Sequence, residues 1–346
     1  MLFFRFFKPK RITCLVLMMT TALLFVACQS KRELRLSGKT MGTFYHVTVV
    51  AGWLTPGDDL RRQIDHRLTV INKSMSTYDA HSEISRFNAL RTVNQPFSIS
   101  DDLQRVLQVA AELHRLTQGA WDGTLDPLVN LWGFGRHGPT TRIPDEIEIH
   151  QALAHVGFDQ IHLDPSGAIF KKDVDLTLDL ASIAKGYGVD EIARLLGDRG
   201  FTDFLVEIGG EVYARGRRKD GHPWRVGINR PDKQAARDEI YKVVSLTDRA
   251  MATSGDYRIF FERDGRTYSH ILDPRTGRPV SNGVVSATVV AANCTVADGL
   301  ATALMVMGPE KGLALVDRLS AVESLMVVRG SDGTLRDFPS RGFVIN

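Results

Sequence analysis

Asp298 and Thr302 stand four residues apart within the apolar stretch 296–308, where helical spacing puts a carboxylate and a hydroxyl on one face. Such a pair suits a hard cation like Mg²⁺, which takes few protein ligands and completes its shell with waters and phosphate oxygens. Taken alone, it is also the pattern of an ordinary solvated helix face. Asp179 supplies a second carboxylate shortly before Lys185, whose charge, set beside Gly186, is suited either to a phosphate or to the exposed start of a helix. These residues belong to seven strings that share one property, small residues flanking oxygen ligands and a few charges. They are LSGKTMGTFY (36–45), MSTYD (75–79), GAWDGTLDPLVNLWGFG (119–135), LDLASIAKGYGVD (178–190), ATSGDYR (252–258), SHILDPRTGRP (269–279) and VADGLATALMVMG (296–308).

Three familiar motifs fail on context. Gly133-Phe134-Gly135-Arg136-His137-Gly138 fits G-x-G-x-x-G, yet it does not sit between a strand and a helix, as dinucleotide binding requires. Gly38-Lys39-Thr40 copies the end of a phosphate-binding loop, but Glu33 occupies the place of its first glycine. Ser182-Ile183-Ala184-Lys185 fits the S-x-x-K of penicillin-binding enzymes without their S-D-N and K-T-G partners.

The elements that must position these residues can be read from periodicity. A strand is expected over 44–50, then the turn Thr55-Pro56-Gly57-Asp58 and a helix with the stripe Leu60, Ile64, Leu68, Ile71. A second helix carries Leu103, Val106, Leu107, Ala110, Leu113 and Leu116, with Gly119 where a C-cap belongs. A third is expected over 184–196. Alternation predicts strands at 204–208 and 224–228, a continuous apolar run predicts a buried strand at 284–291, and a helix over 295–307 should close at Gly308-Pro309. No repeat of 20–50 residues and no low-complexity linker interrupts the chain. One compact α/β or α+β domain is expected rather than a βαβ series.

At the N-terminus, Arg5, Lys8, Lys10 and Arg11 precede an apolar run over 12–27 that ends at Val26-Ala27-Cys28-Gln29. This is the layout of a bacterial lipoprotein signal, cleaved before a cysteine that carries lipid. The run is short for a membrane span, which needs roughly 20 apolar residues. Phe25 stands where such signals usually carry Leu. Loss of 1–27, with four basic and no acidic residues, takes the formal net charge from +3 to −1. The remaining chain has no dense Lys/Arg run, which argues against nucleic acid as a partner. Cys14 leaves with the signal and Cys28 is the expected lipid site, so Cys294 has no partner for an intramolecular disulfide. The remaining 319 residues (346 − 27) are ample for a large core.

The order and spacing of KTMGT, STYD, GAWD, NLWGFG, DLASIAKGY, TSGDYR, HILDPRTGRP and the closing Asp298-x-x-x-Thr302 resemble the ApbE family over nearly the whole chain after the signal. The resemblance implies an α/β (α+β) domain of the T-fold kind over 37–346, behind a signal peptide (1–27) and a polar tether (28–36). It implies a Mg²⁺-dependent, periplasmic FAD:protein FMN transferase: FAD is cleaved at its pyrophosphate, AMP leaves, and FMN is joined through its phosphate to a threonine of a membrane redox subunit. Expected acceptors are flavin-carrying subunits of sodium-pumping quinone reductases or related electron-transfer complexes. The enzyme would be held by its lipid on the periplasmic side of the inner membrane, with sorting to the outer membrane as the alternative.

Carried over position by position, the resemblance puts Met41 and Tyr78 against the flavin or adenine and Ala120, Trp121 and Asp122 on the nucleotide. Asp179 and Lys185 fall at the ribose or phosphate end, and Leu272 in the adenine pocket. Mg²⁺ would be held by the side chains of Asp298 and Thr302 and the backbone carbonyl of Ser182. His270 is the implied base for the acceptor threonine, since an imidazole pKa of about 6.5 suits proton transfer near neutrality. Two positions depart from the family: Ala301 replaces an oxygen residue of some relatives, and Trp121 is bulkier than its counterpart in others. The same residues would also serve an FAD pyrophosphatase giving FMN and AMP, or a non-catalytic FAD-binding lipoprotein, which has no need of the metal pair. By residue type alone, Tyr78 and Trp121 fit core or rim aromatics and Cys294 an inert apolar residue. His114, His155 and His162 lack ligand spacing and fit surface or helix-face positions.

Overall fold

Leu34, Leu36, Tyr45, Val47 and Val49 alternate with polar neighbours and build the first hairpin: β1 (Lys31–Thr40) lies antiparallel to β2 (Thr43–Gly52). The computed structural model describes residues 31–135, 138, 140–236 and 238–345. The signal peptide expected over 1–27 and Cys28 lie outside the described residues. The tether expected over 28–36 is corrected by β1, because Lys31 to Leu36 pair with Gly52 to Val47. The stretch reads as polar because β1 is the edge of the sheet, where charged side chains on the outer face guard the open backbone groups against foreign strands.

Six more strands complete the sheet: β3 (Phe204–Ile208), β4 (Glu211–Arg215), β5 (Arg249–Gly255), β6 (Val284–Ala291), β7 (Glu323–Arg329) and β8 (Leu335–Pro339). They lie in chain order, β1 to β8, each antiparallel to the next. That makes the fold α+β, without parallel crossovers. Every residue of β6 is buried, as its unbroken apolar run predicts for a strand covered on both faces.

Four long helices follow the sequence periodicity: α1 (Gly57–Met75), α2 (Asp101–Leu116), α3 (Ala181–Asp198) and α4 (Cys294–Val316). The stripes read for α1 and α2 are buried, except that Leu116 remains partly exposed. At the end of α2 both Gln118 (φ 52) and Gly119 (φ 75) are left-handed, and Gly119 donates its N–H to the His114 carbonyl. Gly308 breaks α4 with φ 76, as expected, but Pro309 then starts a further helical segment, the position proline suits best.

The helices and the other face of the sheet bury different parts of the core. α4 is sandwiched between the sheet and α2, with Leu113, Ile183, Ala287, Leu300 and Leu304 in one cluster. On the opposite face a hairpin, Trp224–Asn229 with Ile240–Leu246, sets Trp224, Ile228 and Leu246 against Met251, Val290 and Leu325. α3 and α4 approach so closely that a Cβ on Gly186 would stand 2.9 Å from the Asp298 Cβ and collide with the Cys294 carbonyl. Gly186→Ala is therefore expected to lower stability by about 1–3 kcal/mol, the usual cost of overpacking. Urea denaturation measures it, and an unchanged midpoint would contradict so tight a crossing.

Candidate active site

Where α3 begins, three chambers of about 380, 440 and 610 Å³ share Lys185 as a common wall. The largest is bounded by the β1–β2 turn and the end of α1, and reaches Met41, Tyr78 and Asp179. The second is lined by Tyr78, Ala120, Trp121, Asp122, Asp179, Ser182, Lys185, His270, Leu272 and Thr302. The third lies over the sheet, between Lys185, Glu211, His270 and Asp298. All the site residues expected from the sequence, apart from Cys28, thus come together from segments spread across 41–302.

The carboxylates sit deepest. Asp298 is 3% exposed, and its Oδ2 accepts a hydrogen bond from the Gly186 N–H at 3.0 Å. In a regular helix that N–H serves the Ser182 carbonyl, so the crossing of α3 and α4 offers this donor another acceptor. Lys185 Nζ stands 2.5 Å from Glu211 Oε1, while Glu211 Oε2 is buried with no hydrogen-bond partner. Burial pushes Glu211 up to about 8, against the pull of Lys185 and with the repulsion of Asp298. Asp298 is raised too, chiefly by burial, with Lys185 opposing. Burial also works against the Lys185 ammonium, but Asp298 and Glu211 outweigh it and hold the charge. With both carboxylates ionised the site would carry more negative charge than the Lys185 ammonium offsets, which is the state their raised pKa values disfavour; a divalent cation beside the orphaned oxygen would favour it. Thr302 Oγ1 lies 3.1 Å from Ser254 Oγ on β5.

His270 follows a short hairpin, Phe260–Arg263 with Arg266–Ser269. Its Nδ1 is 3.1 Å from the Ile259 carbonyl. A carbonyl can only accept, so Nδ1 carries the proton and Nε2 keeps its lone pair. Burial lowers the imidazole pKa, the Ile259 bond opposes this, and the Lys185 charge adds to the lowering. A neutral ring at pH 7 results. The neighbouring turn does not depend on His270, because Asp273 is held by Arg275 and by the backbone of Thr276 and Gly277.

The chamber walls differ in what they offer. Met41 has φ 47 in the two-residue turn to Gly42, a left-handed conformation uncommon for a side chain of this size. Strain of this kind gathers at functional sites. Tyr78 is 83% exposed at the rim shared by two chambers, an aromatic face open for stacking. Trp121 is buried instead, with its Nε1–H donated to Ser182 Oγ at 3.0 Å. The Asp122 carboxylate turns inward: Oδ1 accepts from Thr124, and Oδ2 accepts from the Phe158 N–H and faces His114 at 3.4 Å. Leu272 is buried in the second chamber, and Asp179 Oδ1 accepts the Ala181 N–H at the first residue of α3.

A family model described as ApbE family matches residues 41–326. The chain belongs to the ApbE family. It is 42% identical over 328 residues to the FAD:protein FMN transferase of Vibrio cholerae, covering 94% of this chain and 96% of that protein. The solved flavin transferase ApbE from Vibrio cholerae superposes with a TM-score of 0.82 at 40% identity, over 91% of this chain and 99% of that one. The flavinyl transferase ApbE of Pseudomonas stutzeri, in its apo form, gives 0.81 at 38% identity, over 90% and 96%.

Within this ApbE fold some residues of the site escape sequence reasoning. Glu211 is the main one: it follows the Gly209-Gly210 turn and belongs to none of the seven strings. Its signal would have been an acid opening a strand whose next residues, Val212, Tyr213 and Ala214, include the buried Val212 and Ala214. His114, read as a surface or helix-face residue, is partly buried and paired with Asp122, which raises its pKa. The declined motifs stay declined. Gly133 follows the end of a short helix (Asp126–Leu131) rather than a strand, and Gly38 to Thr40 lie inside β1.

Proposed function

We propose that this protein transfers the FMN moiety of FAD to a threonine of a protein acceptor, releasing AMP. The observation that carries this reading is the pair of large chambers, one reaching Met41 and Tyr78 and the other Trp121 and Leu272, joined across Lys185 and the first turn of α3. A dinucleotide laid through both would place its two ring systems in the chambers and its diphosphate at the junction. There the lysine charge and the amide end of a helix both favour phosphate.

His270 Nε2 accepts the proton of the threonine hydroxyl as its oxygen attacks the FMN phosphorus. The bond from that phosphorus to the bridging oxygen breaks, and AMP departs with the bridging oxygen and its electron pair. Lys185 holds the diphosphate, and the chamber walls fix the flavin so that the attack is in line. The residues fit Mg²⁺, with Asp298, Thr302 and the Ser182 carbonyl as the groups that would hold it. Such an ion offsets charge building on the leaving phosphate.

The acceptor we propose is a flavin-carrying subunit of a sodium-pumping quinone reductase or a related electron-transfer complex. The lipoprotein layout of residues 1–28 supports a lipid on Cys28 and a position on the periplasmic face of the inner membrane. Incubation with FAD, Mg²⁺ and such a subunit should leave flavin fluorescence on the acceptor band of a denaturing gel. Release of FMN and AMP with no labelled acceptor would replace transfer by hydrolysis, and FAD bound but intact would reduce the protein to a carrier.

A further inference from the structure

The end of the β1–β2 hairpin remote from Met41 carries an exposed apolar pair. Trp53 is 61% exposed and Leu54 80%, side by side in the turn that follows Gly52. Single exposed apolar residues are ordinary, but an adjacent Trp–Leu pair at a turn tip calls for a cover. The turn is fixed rather than loose: the Thr55 N–H donates to the Gly52 carbonyl at 3.1 Å, and the Arg32 guanidinium donates to the Thr55 carbonyl at 3.0 Å. The same guanidinium lies 5.7 Å from the Trp53 ring centre. Lys31, opposite Gly52 in the ladder, has a largely exposed side chain whose Nζ lies 3.5 Å from Asp203 Oδ2.

Where the chain enters this corner decides what covers it. Lys31 is three residues after Cys28. At 3.3–3.6 Å per residue the intervening link spans at most about 11 Å. A lipid on Cys28 therefore keeps the Trp53 turn within one short link of the headgroups. Tryptophan favours the membrane–water boundary, and leucine favours the acyl region below it.

We propose that the Trp53-Leu54 turn is a membrane foot that inserts into the headgroup layer of the bilayer holding the lipidated Cys28. This rests on the lipoprotein reading above. The lipid supplies attachment, and the foot supplies a second point of contact that sets how the domain stands.

Trp53 makes a direct test available, because the other three tryptophans, Trp121, Trp132 and Trp224, are 1%, 1% and 5% exposed. The full processed protein is reconstituted in vesicles of phosphatidylethanolamine and phosphatidylglycerol, with lipids brominated near the headgroup end of the acyl chain as quenchers. Quenching of the wild type is expected to be several times that of Trp53→Phe. Leu54→Asp is expected to bring it down to the Trp53→Phe level with an unchanged melting temperature. The lipid is read independently, as the mass of the N-terminal peptide. A lipidated chain whose wild type is quenched no more than Trp53→Phe overturns the foot and leaves the anchor standing. An N-terminus without lipid overturns the anchor, and the foot with it.

Discussion

If Asp298 holds the proposed Mg²⁺, Asp298→Ala is expected to reduce FMN transfer by about 10³-fold or more, since losing such a ligand forfeits several kcal/mol of charge stabilisation in the transition state. The fold should survive. Asp298 is a buried carboxylate whose ionised form burial already disfavours, and Lys185 keeps Glu211 as a partner. The structural loss is close to one hydrogen bond to the Gly186 N–H, about 1 kcal/mol. Asp298→Asn sharpens the test, because an amide oxygen can still accept from Gly186 while the charge is gone. Both variants should melt near the wild type and transfer poorly at saturating Mg²⁺. An Asp298→Ala enzyme that transfers at the wild-type rate in chelator-treated buffer would end the metal assignment.

His270→Ala should cost roughly 10² to 10⁴ in single-turnover transfer rate, the range for losing a general base, while FAD affinity changes far less. The pH profile separates this role from a structural one. A base acts when deprotonated, so the wild-type rate should climb through the histidine titration, and burial places that climb below pH 6.5. Near neutrality the wild type should already be on its plateau, and the variant should lose the acid limb. If His270 only braced the Ile259 carbonyl, stability and FAD binding would fall together and the acid limb would persist. Normal FAD binding with wild-type transfer would remove His270 from the chemistry.

How far the sequence could be read depended on what each residue faces. Strings such as STYD and DLASIAKGY were legible because close approach demands small residues, and Gly186 shows why: α3 and α4 touch where it has no side chain. The buried strand at β6 was equally plain, since only a strand covered on both faces reads as an unbroken apolar run. β1 was missed for the opposite reason. At an edge, half the side chains face water, and Lys31, Glu33 and Arg35 hide the period-two spacing of Leu34 and Leu36. Glu211 was invisible because its importance lies in a partner 26 residues away, Lys185, and in an oxygen that meets nothing. Asp122 lines the second chamber, while its carboxylate is engaged by Thr124, Phe158 and His114.

The first hairpin also works as a ruler. Its ladder runs from the Lys31–Gly52 pair to the Thr40–Thr43 pair without a bulge, about 30 Å at the usual rise per residue. A hydrogen-bonded ladder does not telescope, so the chamber at Met41 is held at a set height above whatever surface the Trp53 end rests on. Acceptors with identical sequence around the threonine would then be unequal substrates if they present it at different altitudes. Lengthening both strands by two residues should move the preferred altitude by one pleat repeat, while leaving every side chain on its original face.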